Sequence, residues 1–285
     1  MSYQLVDAGD FRKLEQIGPW LIDRPSPQAV WRPALSSDRW HQADALFDRQ
    51  AGGEGAWQVI NPRLPEEWPV QVAGLDFLIK RTGFGHLGIF PEQWKNWQRL
   101  QEMSRLRTGS GAPCRVLNLF GYTGGATQAV ARGGAEVVHV DASKASVAWA
   151  RENFRHAGLE GLPVRWIVDD ARKFVQREIR RGQRYQGLIL DPPGFGRGNK
   201  GEVWKIEDDL LPLLDGLRQL LAPDFLWVML SSHSPGYTPA ALVNLLQGLG
   251  LPGYCESEEM LLTGGKEGPV LPSGAGAILL AKEPP

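Results

Sequence analysis

The feature that most constrains the fold is an apolar run that breaks into a glycine-rich turn. Residues 116–125 read VLNLFGYTGG, and a second apolar run ends at Asp141, 20 residues after Gly121. A strand that enters such a turn before a helix lets the backbone approach a ligand closely, and the later carboxylate can bind ribose hydroxyls. The pattern predicts a nucleoside site at the end of a parallel strand. An ordinary strand-to-helix connection is the alternative.

The spacing of the glycines separates two classes of cofactor. Gly121, Gly124 and Gly125 do not form the G-x-G-x-x-G pattern that cradles the pyrophosphate of a dinucleotide. The turn therefore favours S-adenosylmethionine (SAM) over NAD as the bound nucleoside. An NAD oxidoreductase is the weaker alternative.

From residue 115 onward, short β-rich runs alternate with helical stretches, which is typical of a parallel sheet covered by helices on both faces. Two more β-like stretches follow near the C-terminus. The sequence thus predicts an α/β fold with a Rossmann-like, seven-stranded sheet, by analogy of pattern that of class I methyltransferases. The predicted strands are 115–120, 136–141, 164–168, 187–191, 225–231, 254–262 and 275–281, with helices beginning near Gly125, Ser143, Ala171, Ile206 and Pro239.

Residues 1–107 have a different composition. Prolines and tryptophans are frequent, strand-like pieces occur at 20–24 and 70–80, and no strand–helix rhythm can be counted. The stretch TGSGAP at 108–113 has the composition of a linker. We therefore predict a small N-terminal α+β domain over residues 1–107 and a SAM-binding methyltransferase domain over residues 108–285.

Whole-chain composition excludes several classes of protein. With 285 residues and 42% hydrophobic content, the chain is too apolar to be disordered. Its net charge of −1 gives no global attraction to nucleic acid, so RNA would have to meet a local patch. The two cysteines, Cys114 and Cys255, match no metal-ligand spacing and indicate a reducing compartment. No signal-like or membrane-spanning run occurs, so we expect a soluble cytoplasmic protein without a metal.

A second cluster of candidate residues follows the fourth predicted strand. Residues 191–195 read DPPGF, and because the carboxyl ends of parallel strands line the ligand crevice, this motif should face the Gly121 turn. The prolines stiffen the chain and leave carbonyls free for a base amino group, while Phe195 offers a stacking face. The candidate catalytic residues are Asp191, Pro192, Pro193 and Phe195. The alternative is a proline-rich strand exit.

Three further positions are candidates. Asp170 follows the third strand, where its carboxylate can accept from the adenine amine of SAM or cap the next helix. Residues 85–93 read GHLGIFPEQ, a glycine-bracketed turn that is either short enough to fold over a cofactor or purely structural. His233, after the fifth strand, can take a proton or serve as a structural histidine.

Together these motifs resemble one family. Residues 118–125, Asp141 with Ser143, Asp170 and the DPPGF motif are similar to the SAM-dependent methyltransferases that include the 23S rRNA cytosine-5 and guanine-N7 enzymes. The turn at 88–93 is similar to that family's cofactor-covering loop. The resemblance implies that SAM is held by Phe90, Gln93, Asn118, Phe120, Gly121, Tyr122, Thr123, Gly124, Gly125, Asp141, Ser143, Asp170 and Asp191.

Two departures from the family pattern restrict the expected chemistry. Residues 1–107 have room for the small domain alone, so we do not expect the RNA-binding PUA domain of many members. The cytosine-5 members carry a nucleophilic cysteine in a Ser-Cys-Ser segment after the fifth strand, where this chain has Ser231-Ser232-His233-Ser234. Attack on cytosine C6 requires a thiolate, and neither Cys114 nor Cys255 is placed to supply one.

Nitrogen methylation is therefore the predicted reaction, on a nucleobase of RNA and of ribosomal RNA in particular. Residues 151–205 carry 12 Lys/Arg against seven acids, a local excess of five positive charges for an RNA partner. Arg197 and Lys200, which follow the DPPGF motif, are the candidates for phosphate contacts. The alternatives are methylation of a protein or small molecule, and a non-catalytic SAM- or RNA-binding module. The oligomeric state is left open.

Overall fold

The computed structural model describes residues 3–49, 55–198, 201–265 and 268–281. The chain divides into two compact units. Unit 1 comprises Met1–Trp94 and Leu261–Ser273, and unit 2 comprises Lys95–Met260 and Gly274–Pro285. This division differs from the predicted boundary at residues 107 and 108, because the helix that ends at Gly109 belongs to unit 2 from Lys95 onward.

Unit 1 is built mainly from strands: β1 (Tyr3–Gly9), β2 (Arg12–Ile17), β3 (Trp20–Pro25), β4 (Ala45–Arg49), β5 (Gly55–Val59), β6 (Glu67–Val72) and β7 (Leu75–Lys80). Strands β1 to β5 form one sheet in chain order, and β6 pairs with β7. The described part also contains a short helix, α1 (Ser37–Trp40), and a 3-10 turn at Pro91–Gln93. The strand-like run predicted at 70–80 is thus a hairpin, which turns at Ala73 and Gly74 where φ is 53° and 80°.

A buried ion pair ties the loop at 85–93 to the five-stranded sheet. The Arg24 guanidinium donates to Glu15 from Nε at 2.7 Å and from Nη2 at 2.9 Å, and its Nη1 donates to the carbonyl of Gly85 at 2.9 Å. Burial raises the pKa of Glu15, but the opposite effect of the Arg24 and Lys13 charges is larger in sum, so the net shift of this pKa is downward. The carboxylate therefore stays charged and holds Arg24 in place.

Unit 2 contains the predicted seven-stranded sheet and confirms the α/β fold. The strands from here on are β8 (Arg115–Leu119), β9 (Glu136–Asp141), β10 (Val164–Val168), β11 (Gly187–Leu190), β12 (Phe195–Arg197), β13 (Val203–Lys205), β14 (Trp227–Ser232), β15 (Tyr254–Thr263) and β16 (Val270–Leu280). The last three residues of β15 and the first four of β16 fall within the part of the chain assigned to unit 1. The sheet order is β10-β9-β8-β11-β14-β16-β15. The first five strands are parallel, and β16 runs antiparallel to β14.

Helices cover both faces of this sheet: α2 (Trp94–Gly109), α3 (Gly125–Arg132), α4 (Lys144–His156), α5 (Ala171–Arg180), α6 (Ile206–Arg218) and α7 (Pro239–Gln247). Along β8, Leu117 and Leu119 join one apolar cluster and Val116 joins another, since alternate side chains of a strand point to opposite faces. Two-sided burial explains why β8, β11 and β14 read as almost continuous apolar runs. Across the described residues, no helix has both the length and the apolar composition needed to cross a membrane.

The strand order creates a switch point between β8 and β11. From β8 the chain moves through β9 to β10 at one side, and it then returns to place β11 on the other side of β8. In open parallel sheets, ligands bind outside the carboxyl ends of the strands at such a point. The glycine turn after β8 and the DPPGF motif after β11 therefore lie side by side at this edge.

The sequence did not predict the small hairpin of β12 and β13. It begins at Phe195, directly after the prolines, and Phe195 pairs with Lys205. The indole nitrogen of Trp204 donates to the carbonyl of Pro193 at 2.7 Å, and its ring lies 4.8 Å from that of Phe120. The hairpin is therefore anchored next to the glycine turn by a buried tryptophan.

Candidate active site

The turn after β8 has an unusual backbone conformation. Phe120, Tyr122 and Gly124 have φ values of 57°, 47° and 88°, in the left-handed region that costs a non-glycine residue free energy. The amide of Gly121 donates to the carbonyl of Val140 at 3.1 Å, and the amide of Gly124 donates to the carbonyl of Gly121 at 3.0 Å. These bonds hold the strained turn against β9.

Asp141 lies beside this turn and organises it. Its Oδ2 accepts from the amide of Tyr122 at 2.9 Å, and its Oδ1 accepts from the amide of Ser143 at 2.8 Å. Ser143 in turn caps α4, because its Oγ accepts from the amide of Ser146 at 3.1 Å. Burial raises the pKa of Asp141, although both amides act to lower it. Each carboxylate oxygen keeps a second lone pair that can accept from a ligand hydroxyl.

A buried polar network supports the turn from below. Asn118 donates from Nδ2 to Thr127 Oγ1 at 2.8 Å, and Thr127 Oγ1 lies 2.9 Å from His139 Nδ1. Burial lowers the pKa of His139 to about 3, so the imidazole is neutral at physiological pH. The side-chain amide of Asn118 thus donates to Thr127 inside the protein, and its predicted cofactor contact stays a prediction.

The same imidazole explains why position 121 is a glycine. A β-carbon on Gly121 would lie 2.4 Å from Cε1 of His139, which is closer than van der Waals contact allows. Gly125 is enclosed in the same way, since a β-carbon there would lie 2.8 Å from the ring of Trp97 in α2. Thr123 is buried, and its carbonyl accepts from Nδ2 of Asn153 in α4 at 2.9 Å. The turn is therefore packed closely on three sides.

Asp191 stands at the end of β11, in register with the end of β14. Since Leu190 pairs with Leu119 on one side and with Leu230 on the other, the next residues of the three strands meet at one edge. Ser231 Oγ donates to Asp191 Oδ1 at 2.7 Å, and His233 Nε2 lies 3.8 Å from the same oxygen. The structure thus brings Asp191 together with Phe120 and with the segment 231–234, in which the cytosine-5 enzymes carry a cysteine and this chain does not.

The rest of the DPPGF motif differs in part from expectation. The carbonyl of Pro193 accepts from Trp204, and that of Gly194 accepts from the amide of Ile206 at 3.0 Å, so these two carbonyls have internal donors. Pro192 is buried, whereas Phe195 is 56% exposed. The Arg197 guanidinium lies 5.8 Å from the centre of the Phe195 ring, which leaves an exposed aromatic face next to a cation.

Asp170 caps the helix that follows it. Its Oδ1 accepts from the amide of Lys173 at 3.0 Å, and its Oδ2 forms an ion pair with Arg172 at 3.1 Å. The capping role considered from the sequence is therefore present. Phe90 and Gln93 lie in unit 1, where the Phe90 ring is 5.5 Å from that of His86 and Gln93 is buried in the 3-10 turn. The cofactor contacts proposed for these three residues stay predictions.

Intramolecular ion pairs occupy several cations of the basic segment. Of its described cations, at least five have carboxylate partners: Arg172 with Asp170, Lys173 with Glu202, Arg177 with Asp169, Arg181 with Glu178, and Lys205 with Asp208. Four of these carboxylates are already among the seven acids counted in the segment, so only the partners outside it, Asp208 and Asp209, reduce the excess. Lys200 lies outside the described residues, while Arg197 is exposed beside Phe195.

Neither cysteine is near the end of β14. Cys114 precedes β8 at the opposite edge of the sheet, and burial raises the pKa of its thiol to about 11. Cys255 lies on β15, and burial raises its pKa as well. Both thiols are protonated at neutral pH, so neither is a ready nucleophile.

The fold and this edge of the sheet define a class I methyltransferase-like protein. Residues 50–244 match the sequence model of the S-adenosylmethionine-dependent methyltransferases. The chain therefore belongs to the SAM-dependent methyltransferase family, which confirms the resemblance read from its motifs, and SAM is the cofactor of that family.

Relatives and solved structures agree with this assignment. A ribosomal RNA large subunit methyltransferase K/L from Shewanella frigidimarina is 32% identical over 180 residues, which cover 62% of this chain and 24% of that protein. This chain thus spans about a quarter of that relative's length. The crystal structure of the SAM-dependent methyltransferase from Agrobacterium tumefaciens has a TM-score of 0.93 at 40% identity, covering 99% of this chain and 91% of that one. SMU.776 in complex with SAH has a TM-score of 0.71 at 18% identity over 98% and 75% of the chains, a likeness of fold alone.

Proposed function

We propose that this protein transfers the methyl group of SAM to a nitrogen of an RNA base, in ribosomal RNA and in the cytoplasm. One observation carries the proposal: Asp191 stands beside the glycine turn at the switch point, and Ser231 and His233, with no thiol, complete that edge. A carboxylate there can accept from a base nitrogen, whereas attack on a pyrimidine carbon requires a thiolate. The Shewanella relative, a ribosomal RNA large subunit methyltransferase, supports RNA as the substrate.

The residues around the turn fit SAM. The turn of Phe120 to Gly124 lies beside the Asp141 carboxylate, which two backbone amides align and which keeps lone pairs for ligand hydroxyls. We assign the ribose hydroxyls to Asp141, the adenine edge to Asp170, and the close backbone contact to the turn. Phe90 and Gln93 would cover the cofactor, as the family resemblance implies. When bound, SAM supplies a methyl group on a positively charged sulfur.

The chain's own contribution to the reaction is positioning. Displacement at a sulfonium methyl group mainly requires that the attacking nitrogen lies in line with the C–S bond. A hydrogen-bond acceptor that holds the base in this orientation therefore accounts for most of the expected rate enhancement. Asp191, held by Ser231, accepts a hydrogen bond from the base nitrogen, while the exposed Phe195 stacks on the ring. The neighbouring Arg197 is placed to contact an adjacent phosphate.

Incubation with isotope-labelled SAM and total RNA from a deletion strain tests the proposal. We expect label in ribosomal RNA and, after nucleoside mass spectrometry, a methyl group on a base nitrogen. Label found in protein or in a small-molecule fraction would support the alternative substrate classes instead. SAM binding without transfer to any fraction would identify a non-catalytic module.

Removing the ribose carboxylate is expected to weaken cofactor binding. For Asp141→Ala we predict a loss of about 1.5 to 3 kcal/mol in SAM affinity, the scale of charge-assisted hydrogen bonds. Titration calorimetry measures this loss. Asp141→Asn serves as the matched control, because it keeps an acceptor for one of the two turn amides and should lose less. Unchanged affinity in Asp141→Ala would disprove the ribose assignment.

RNA binding is expected to depend on salt, but only moderately. Because at least five of the described cations in the segment 151–205 are paired internally, we predict that three to six contribute to phosphate contacts. The slope of log K against log salt should then be about −2 to −4 for single-stranded RNA. Filter binding at salt concentrations between about 50 and 200 mM measures this slope. A flat dependence would favour a small-molecule substrate.

The cysteines are expected to be dispensable. The double variant Cys114→Ser with Cys255→Ser should retain nearly full methylation, because both thiols have raised pKa values and neither lies at the end of β14. Initial rates with labelled SAM provide the measurement. Lost activity in a folded double variant, or covalent trapping of the wild-type protein on 5-fluorocytosine RNA, would contradict nitrogen methylation.

A further inference from the structure

The hairpin of β12 and β13 stands outside the seven-stranded sheet. Its strands have three residues each and, among the described strands, they pair with one another alone. A lone two-stranded hairpin is marginally stable in water, so contacts with the rest of the domain must hold it. Phe195, to which we assign stacking on the base, is the first residue of β12. The position of its ring therefore depends on what anchors the hairpin.

The two faces of this hairpin differ in character. Phe195 pairs with Lys205 and Arg197 pairs with Val203, and all four residues are exposed. Trp204, between the two partners on β13, is buried. Because successive side chains of a strand point to opposite faces, the hairpin packs against the domain through Trp204 and presents an aromatic ring with two cations on its other face.

Arg172, in the first turn of α5, joins the hairpin to two helices. Its Nη2 donates to the carbonyl of Val203 at 3.0 Å, and its guanidinium carbon lies 6.0 Å from the centre of the Trp204 ring. Nε and Nη2 donate to the Asp170 carboxylate at 3.4 and 3.1 Å, and Nη1 donates to Asp209 at 2.5 Å. Asp170 caps α5 and Asp209 lies at the start of α6, so one guanidinium connects three elements.

The geometry distinguishes this group from an ordinary surface ion pair, which contributes little. Only 32% of the Arg172 side chain is exposed, and its partners Asp170 and Asp209 are 9% and 19% exposed. A guanidinium carries its donors in a rigid plane and can meet two carboxylates and a carbonyl together, whereas a lysine ammonium is a point charge on a flexible stem. Asp209 also accepts from the amide of Lys205 at 2.8 Å through its other oxygen, which fixes the end of β13.

We infer that Arg172 is a positioning residue, which holds the hairpin against α5 and α6 so that Phe195 presents its ring to the base. A contact from Lys173 Nζ to Glu202 Oε1 at 2.7 Å ties the hairpin to α5 at a second point. The inference rests on the proposed function. It gives a role inside the protein to one of the cations that were counted for RNA contacts.

The first test is Arg172→Met, which keeps an apolar stem and removes the donors. We expect kcat/KM for RNA to fall about 10-fold, within the range that the loss of stacking on one base allows. Arg172→Lys should recover part of this loss, because an ammonium cannot meet all three acceptors in the same geometry. Arg180→Met, at an exposed position near the end of α5, is the matched control and should behave as wild type. Full kcat/KM in Arg172→Met would overturn the inference.

A double-mutant cycle separates positioning from general damage. If Arg172 acts through Phe195, adding Arg172→Met to Phe195→Ala should lower kcat/KM little further, because the ring to be positioned is already gone. Independent damage to the structure would instead multiply the two losses. Losses that multiply would therefore refute the inference.

Asp209→Asn separates the hairpin from the cofactor site. The variant weakens an ion pair of Arg172 but keeps an oxygen that can accept from the Lys205 amide, so kcat/KM for RNA should fall less than in Arg172→Met. It leaves Asp170 untouched, so the SAM affinity measured by calorimetry should equal that of wild type. A parallel loss of SAM affinity would show that the ion pairs serve the cofactor site and not the hairpin.

A further readout needs neither substrate nor cofactor. Hydrogen exchange measured by NMR should be faster at the amides of β12 and β13 in Arg172→Met than in wild type, because local opening of the hairpin becomes easier. The amides of β8 should exchange alike in both proteins. If the wild-type protein methylates no RNA, the proposed function fails, and this measurement still decides the anchor: equal exchange in the hairpin would refute it, and faster exchange confined to the hairpin would support it.

Discussion

Replacing Asp191 with alanine is expected to lower the rate of methyl transfer about 10²-fold or more while SAM affinity changes little. The carboxylate at the end of β11 is the acceptor that holds the base nitrogen in line, and loss of such positioning acts on turnover rather than on cofactor binding. Single-turnover assays with labelled SAM measure the rate, and calorimetry measures the affinity. The variant also removes one acceptor of the Ser231 hydroxyl, which donates to Asp191 Oδ1 at 2.7 Å in the structure.

Two controls separate positioning from structural damage. Asp191→Asn keeps an oxygen acceptor for both Ser231 and the base, so its rate should lie between those of wild type and alanine. Ser231→Ala leaves the carboxylate in place but removes the bond that orients it, and a smaller loss is expected. An Asp191→Ala enzyme with full turnover would show that the base is held elsewhere.

Gly121→Ala is expected to damage both folding and cofactor binding. The new β-carbon would lie 2.4 Å from the His139 ring, which is itself held by Thr127, so the turn or the ring must move. Overpacking of this kind costs about 1 to 3 kcal/mol of stability. Because the backbone of this turn is proposed to contact SAM directly, we expect SAM affinity to fall as well.

Denaturant unfolding and calorimetry measure the two effects. Gly161→Ala is the matched control. Gly161 is exposed, belongs to unit 2 as Gly121 does, and a β-carbon there would meet no atom within 4 Å. It should leave both quantities unchanged. Normal SAM affinity in Gly121→Ala would show that the turn tolerates the displacement and does not contact the cofactor closely.

Much of the fold was predictable from neighbouring residues. The alternation of strands and helices after residue 115 is a local periodicity, and each short apolar run is flanked by its own turn residues. The glycine turn and the DPPGF motif are likewise contiguous, so their positions at strand ends followed from the strand assignments. The family could therefore be identified from the sequence, and the family model confirmed it.

The roles of individual side chains depended on residues far away in the chain. The cofactor contact of Asn118 stays a prediction, and in the structure its amide donates to Thr127, a bond that exists only once α3 lies against β8. The excess charge of residues 151–205 was a count along the chain, and ion pairs with Asp208 and Asp209, which lie outside that segment, reduce it. Such ion-pair partners cannot be predicted from composition, because they lie on different helices, strands and loops of the folded chain.

The same reason separates what the amino-acid order determined from what the folded structure added. Local periodicity and the glycine-rich turn indicate the strands, the helices and the cofactor class, because these depend on short segments. The switch point depends on the strand order, which only the folded structure shows. The pairing of Asp191 with Ser231 and His233 joins residues about 40 positions apart, and it arises because β11 and β14 are neighbours in register. The candidate chemistry of this protein lies in that long-range juxtaposition.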